Sequence, residues 1–377
     1  MVRYACKKCG CKFKNKTDYT QHNVTPCVIF MIEEEDDEHV ASVPAPAIER
    51  GVRGASVPAI EGGVRGASAP AIPKPILKWV GGKTQILNKL IPQFPTNIQN
   101  YHEIFVGAGS VLFAVLAYRN AGIITISDNV CAYDVNEPLI HVFKNIQSNH
   151  DQLYDAIQEL IVEFNTCDET KIDPYTNKNT QTKTEAMISR ENYYYWSRAR
   201  YNNLSRLDKQ SVLGSALFIF LNKTCFRGIF RMGPNGFNVP YGNNKNPEII
   251  NRAHLDQIHE LIQGVLFTTC DFTVSMNQIG LNDYAYLDPP YVQENSTSFV
   301  GYTENGFNQE QHNELFELCN KLTSENKQFM MSNADVDIVR EAFSNNDVYT
   351  INSIECKRSI HSKKPESKAK EVIIKNY

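Results

Sequence analysis

The segment Tyr286-Leu287-Asp288-Pro289-Pro290-Tyr291 puts a carboxylate, two prolines and an aromatic ring at the end of an apolar run. Residues 284–287 read as a buried strand. The consecutive prolines lack backbone N–H groups, so they end the strand at once and stiffen the next few residues. An acid, a backbone carbonyl and a ring are thereby offered together at a strand end, where ligands bind in open α/β sheets. This group suits the activation of an exocyclic amine on a nucleobase. Such a nitrogen is a poor nucleophile, because its lone pair is delocalised into the ring. A carboxylate and a carbonyl oxygen can each accept one N–H and draw the nitrogen toward a tetrahedral shape, while Tyr291 stacks on the base. An ordinary strand end with a proline turn has the same residues, so the surrounding elements decide the reading.

Residues 101–106 read as a strand, followed by Gly107-Ala108-Gly109 and an apolar helix from Ser110 to about Tyr118. The turn lets a ligand approach the backbone, but the third glycine of the dinucleotide fingerprint is absent, which weakens a nicotinamide reading. Some 25 residues after Gly109, Asp134 ends another strand, suitably placed for ribose hydroxyls. Nucleoside binding without pyrophosphate recognition is what S-adenosylmethionine needs, and an aromatic face such as Trp79 suits its sulfonium. Lys78-Trp79-Val80-Gly81-Gly82-Lys83 precedes a helix marked by Ile86, Leu87 and Leu90 and lacks the spacing of a P-loop.

The pattern over residues 138–164 is helical, with Leu153, Ile157 and Phe164 on one face. Residues 166–184 are polar and irregular, hence a surface loop, and Tyr193-Tyr194-Tyr195-Trp196 reads as core. Residues 221–231 and 235–242 interleave basic, aromatic and glycine side chains, a composition suited to reading nucleic acid. Residues 293–308 form a polar loop with Phe299 and Tyr302 and read as a lid. Leu315, Phe316, Cys319 and Leu322 mark an amphipathic helix. Residues 328–331 and 372–374 read as strands, and the basic hairpin at 357–364 is a candidate phosphate contact.

A chain of 377 residues, 42% hydrophobic, can build one large domain or two smaller ones. Its net charge of −4 gives no global basic field, so nucleic acid must be met by local patches. Neither a membrane-spanning run nor an apolar leader is found, and an intracellular, soluble protein is expected. Six cysteines are scattered from Cys131 to Cys356, as fits reduced thiols. Near the N-terminus Cys6, Cys9, His22 and Cys27 follow C-x2-C-x12-H-x4-C, the spacing of a structural zinc knuckle. That module, residues 1–30, resembles C2HC zinc fingers and would fold only with its metal; the alternative is a cysteine-containing tail. Residues 31–74 are an acidic run and a Gly-, Pro- and Ala-rich repeat, read as a flexible linker.

Six motifs occur in a fixed order: Lys-Trp-x-Gly-Gly-Lys, Phe-Val-Gly-Ala-Gly-Ser, Tyr-Asp-Val-Asn, Asn-Lys-Thr-Cys-Phe-x-Gly, Phe-Asn-Val-Pro-Tyr-Gly and Asp-Pro-Pro-Tyr. With Met331-Ser332-Asn333 and the late Arg358-Ser359-Ile360, they make residues 75–377 resemble the Dam-like adenine-specific DNA methyltransferases of the α group. The resemblance implies an α/β, Rossmann-like, S-adenosylmethionine-dependent sheet with a mainly helical target-recognition insertion at about residues 145–270. It implies a cofactor site of Trp79, Lys83, Phe105, Gly107, Asp134 and Asp288, with Lys83 on the methionyl carboxylate. Asp288, Pro289, Pro290 and Tyr291 would hold a flipped adenine for methylation at N6. Arg227, Arg231, Asn235, Lys357 and Arg358 would contact double-stranded DNA, Arg227 standing where the family commonly has asparagine. A cognate restriction endonuclease is an implied partner. Two other readings stand beside this one: the same fold acting on an RNA adenine or a protein amide, and a zinc-dependent DNA-binding protein with an inactive methyltransferase scaffold.

Overall fold

The computed structural model describes residues 69–167, 178, 180, 182–292, 307–357 and 368–377, together with the strand pair Tyr4–Ala5 and Lys12–Phe13. The chain divides into one unit at residues 1–65 and another at 66–377. In the first, Tyr4–Ala5 pairs antiparallel with Lys12–Phe13. Cys6, Cys9, His22 and Cys27 lie outside the described residues, as do Arg358 and the polar segment 293–306. Among the described residues, no group of three or more His, Cys, Asp or Glu side chains is arranged to hold a metal, and no helix is long and apolar enough to cross a membrane.

The second unit is built on a seven-stranded sheet: β1 Tyr101–Glu103, β2 Val130–Asp134, β3 Val265–Thr269, β4 Tyr284–Leu287, β5 Gln328–Ala334, β6 Thr350–Lys357 and β7 Lys368–Lys375. The spatial order is β3-β2-β1-β4-β5-β7-β6. Strands β1 to β5 are parallel, and β7 lies antiparallel between β5 and β6. Parallel strands covered on both faces need unbroken apolar runs, and every residue of β4 is buried. Alternation along β4 sends Tyr284 and Tyr286 into one core, with Tyr101 and Phe94, and Ala285 and Leu287 into the other, with Phe329 and Met331.

The first core is closed by α1 Ser110–Asn120 and by the longer helices inserted between β2 and β3: α2 Glu137–Ser148, α3 His150–Thr166, α4 Arg190–Asn203, α5 Val212–Thr224 and α6 Arg252–Leu261. The helical stretch read over 138–164 is two helices, broken at Asn149, whose backbone (φ −139°, ψ 33°) is not helical. Helix α5 is apolar nearly all round and correspondingly central, buried without interruption from Gly214 to Asn222. Tyr193, Tyr194 and Tyr195 are core residues, as read. The second core is closed by α7 Phe272–Met276, α8 Gln309–Ser324 and α9 Asp337–Ala342. Cys131, Cys167, Cys225, Cys270 and Cys319 are free thiols.

Chain order runs outward from β1 through β2 to β3 on one side, and from β4 to β5 on the other. The crevice at the C-terminal ends of β1 and β4 is therefore the topological switch point, where such sheets bind ligands.

Candidate active site

The ladder does not stop where regular strand ends. Ile104 N–H donates to the Tyr286 carbonyl at 3.0 Å and Val106 N–H to the Tyr133 carbonyl at 2.8 Å. The Gly107-Ala108-Gly109 turn is thus carried to the lip of the crevice. Gly107 has φ +48° and Gly109 φ +80°, and Gly109 caps α1 from the left-handed region. A Cβ on Gly107 would stand 3.1 Å from the Trp79 ring, so the indole lies directly against this turn.

A cavity of about 300 Å³ opens there. Trp79, Lys83, Phe105, Gly107, Asp134, Asp288, Pro289, Pro290 and Tyr291 all line it, although they come from four separated stretches of sequence. In its lining, the Asp134 carboxylate accepts Gly107 N–H at 3.1 Å and Asn136 N–H at 2.9 Å. Burial pushes its carboxyl up to about 6, against the pull of those two N–H donors. Each oxygen keeps a lone pair beyond these bonds, which suits a diol. Phe105, Phe272 and Phe307 make an apolar wall, their centroids 5.5 to 6.1 Å apart.

Also in the lining, Lys83 Nζ lies 2.7 Å from Asp288 Oδ1 and 4.8 Å from the centroid of the Tyr291 ring, and donates to the Gly81 carbonyl at 2.8 Å. Lys83 is 4% exposed and Asp288 19%. Burial raises the Asp288 carboxyl to about 6, with Lys83 as the strongest opposing influence. The ammonium that the family resemblance assigns to the methionyl carboxylate is here seated on Asp288. The Tyr291 hydroxyl donates to Glu371 on β7 at 2.9 Å.

Arg227, Arg231 and Asn235 do not line this cavity. Arg231 and Asn235 are exposed on and beside the small hairpin Met232–Gly233/Gly236–Phe237, where Arg231 Nε donates to Asn238 Oδ1 at 2.7 Å. Arg227 is also exposed, with a left-handed φ of +58° and its guanidinium 5.0 Å from the Phe226 centroid. This segment reaches the site through Phe230, whose ring stacks on Trp79 at 5.7 Å. Lys357 closes β6.

Sequence reasoning passed over several residues at the site. Glu103, 2% exposed, ends β1 in the cavity wall and accepts the Tyr101 hydroxyl at 2.7 Å. Burial drives its carboxyl up to about 8, so it is neutral at pH 7. Its signal was an acid inside the strand read over residues 101–106. Asp271, which caps α7 after β3, also lines the cavity, much as Asp134 does after β2. Asn222 clamps the Lys78–Lys83 segment onto α5: Lys78 N–H donates to Asn222 Oδ1 at 2.9 Å, and Asn222 Nδ2 donates back to the Lys78 carbonyl at 2.8 Å.

Residues 79–360 match the model of the family described as D12 class N6 adenine-specific DNA methyltransferase. The chain is 33% identical over 314 residues to the Type II methyltransferase M.MjaIII of Methanocaldococcus jannaschii, covering 81% of this chain and 99% of that protein. It is 26% identical over 300 residues to the Retron Ec67 DNA adenine methylase of Escherichia coli, covering 79% and 90% of the two chains. It is 27% identical over 288 residues to the DNA adenine methylase of Escherichia coli strain K12, covering 76% and 88%. With the Gly107-Ala108-Gly109 turn, the Asp-Pro-Pro-Tyr segment and the helical insertion all inside the matched span, the chain belongs to the D12 class of N6 adenine-specific DNA methyltransferases.

Proposed function

We propose that the cavity at the β1/β4 crevice is where this DNA adenine methyltransferase holds S-adenosylmethionine beside a flipped adenine of double-stranded DNA. The reading rests on one observation: Asp134, Gly107 and Asp288 line a single cavity. The residues suit the methyl donor. Asp134 has lone pairs for ribose hydroxyls, Phe105 offers an apolar face, Gly107 brings the backbone close, and Trp79 presents a ring to a sulfonium. When bound, S-adenosylmethionine supplies a methyl group on a positively charged sulfur.

The chain's own residues then act on the base. Asp288 and the Pro289 carbonyl accept the two N6–H bonds, Pro290 keeps the turn rigid, and Tyr291 stacks on the ring. With its carboxyl at about 6, Asp288 is ionised at pH 7 and above. Positioning and hydrogen bonding supply most of the rate, and stacking offsets the few kcal/mol needed to extrude a base. Lys83 must leave Asp288 for the amine to take its place.

The test is Asp288→Ala in the full chain. It is expected to abolish labelled-methyl transfer to duplex DNA while duplex binding in a gel-shift assay persists; full activity would overturn the assignment. Wild-type transfer to RNA or protein, with none to duplex DNA, would overturn the substrate.

Three further readings belong to the same proposal. Arg227, Arg231, Asn235, Lys357 and Arg358 contact the duplex, so neutralising the arginines should weaken binding and flatten its salt dependence. Cys6, Cys9, His22 and Cys27 hold one structural zinc, which elemental analysis of the full chain and of Cys9→Ser checks. A cognate restriction endonuclease is the partner expected if DNA methylated by this chain resists cleavage at the same sequence.

A further inference from the structure

We propose that Glu371, on β7, is a positioning residue for methyl transfer: its carboxylate holds the Tyr291 ring in place. The inference deepens the site reading above and rests on it. The Tyr291 hydroxyl donates to Glu371 Oε2 at 2.9 Å across 80 residues of sequence. Glu371 is a rigid mount, since its backbone pairs with Ala334 of β5 on one side and Ile354 of β6 on the other. The backbone just beyond Tyr291 is tied as well, with Val292 N–H donating to Asn333 Oδ1 at 3.2 Å.

The ring is thus fixed at its base and at its tip. Its face meets the Lys83 ammonium at 4.8 Å, and a long lysine side chain can withdraw from that face where a glutamate on an interior strand stays. The phenol remains a donor throughout the working range, because burial and the Asp288 and Glu371 carboxylates hold it well above its ordinary value. The same hydroxyl also stabilises the Asp288 carboxylate. Glu371 therefore fixes the tip of the ring that is to stack on the base.

The experiment is a double-mutant cycle in the full chain, with tritiated-methyl transfer to unmethylated plasmid DNA as the assay. Glu371→Ala is compared with Tyr291→Phe and with the double variant. Glu371→Gln keeps an acceptor oxygen. Glu371→Thr suits a strand but cannot reach the phenol, and replaces the alanine variant if that fails to fold. Affinity for S-adenosylhomocysteine is read by calorimetry. Glu371→Ala is expected to lower kcat about tenfold, the order of one charge-assisted hydrogen bond, with cofactor affinity unchanged. Glu371→Gln should stay within about threefold of wild type, and in the Tyr291→Phe background the loss should shrink below about twofold. Wild-type kcat in Glu371→Ala, or an equal loss in both backgrounds, overturns the proposal. Asp288→Ala is run in parallel. Activity there removes the site reading and this proposal with it; an inactive Asp288→Ala with an additive cycle removes this proposal alone.

Discussion

Lys83 Nζ stands 2.7 Å from Asp288 Oδ1 and over the Tyr291 ring, so an ammonium occupies the place where an N–H donor stacked on that ring would be received. Lys83 is the main influence opposing burial at Asp288, whose carboxyl already stands at about 6. Lys83→Ala should therefore push that carboxyl higher. On the proposed role of Asp288, activity follows its ionised form, so the acid limb of kcat/KM should move up from near pH 6 by ~1 pH unit or more. The loss should be larger at pH 6.5 than at pH 8.5. Stability runs the opposite way with pH. A carboxyl raised above its unfolded value is a burden that grows as pH rises toward its folded value, so the Tm deficit of Lys83→Ala should be larger at pH 8 than at pH 5. A deficit independent of pH, with an unmoved acid limb, would show that Lys83 does not govern Asp288.

Glu103 allows a cleaner test of buried charge. Its carboxyl stands at about 8, raised by burial from an ordinary 4.5, while the Tyr101 hydroxyl and a backbone N–H pull it down. The folded state therefore holds a proton that the unfolded state has released, and stability is lost as pH rises from about 4.5 to 8. Glu103→Gln keeps the shape and an acceptor for Tyr101 but cannot titrate. Its Tm should match wild type near pH 4.5, pull ahead through that window and level off above it. At ~1.4 kcal/mol for each pH unit of that window, the ceiling is a few kcal/mol. A constant difference from pH 5 to 9 would mean that Glu103 is not protonated in the folded chain.

These two residues mark how far the site could be read in advance. The strand and turn around Asp288, the Gly107-Ala108-Gly109 turn and Asp134 were legible, because apolar runs, prolines and positive-φ glycines act locally. Glu103 was hidden because it sits beside His102 in a short run that still reads as a strand, and one acid does not change a strand pattern. Glu371 gave no signal at all. Its reach to Tyr291 depends on β7 inserting antiparallel between β5 and β6, and no local pattern records that insertion. The break at Asn149 was missed for a related reason: α2 and α3 each keep an apolar stripe, so the periodicity runs on through the residue that separates them.

Gly107 tests the cofactor half by itself. Its φ of +48° disfavours any side chain, and a Cβ would press on Trp79 at 3.1 Å. Its N–H also holds Asp134. Gly107→Ala should add ~1–2 kcal/mol of backbone strain and move the indole, the carboxylate or both. Calorimetry with S-adenosylhomocysteine should show affinity weakened about tenfold, while gel shifts with duplex DNA change little. Unaltered cofactor affinity would detach Gly107 and Trp79 from the cofactor site.

Asn222 joins two motifs 144 residues apart. Its side chain accepts Lys78 N–H and donates to the Lys78 and Gly228 carbonyls, at 2.8 to 3.2 Å, and it is 3% exposed. Asn222→Ala strands three backbone groups in or near the core. At ~1–3 kcal/mol for a buried polar group left unpaired, a loss of ~3 kcal/mol is expected, several degrees in Tm. The functional loss should be double, because one clamp fixes both the segment that carries Trp79 and Lys83 and the exposed loop that carries Arg227. Cofactor and duplex affinity should therefore fall together, unlike in Gly107→Ala. Asn222→Asp, which can still accept Lys78 N–H but cannot donate, should fall between alanine and wild type in Tm. If Asn222→Ala weakens only one of the two affinities, the loop and the cofactor segment are held independently and the clamp is not what couples them.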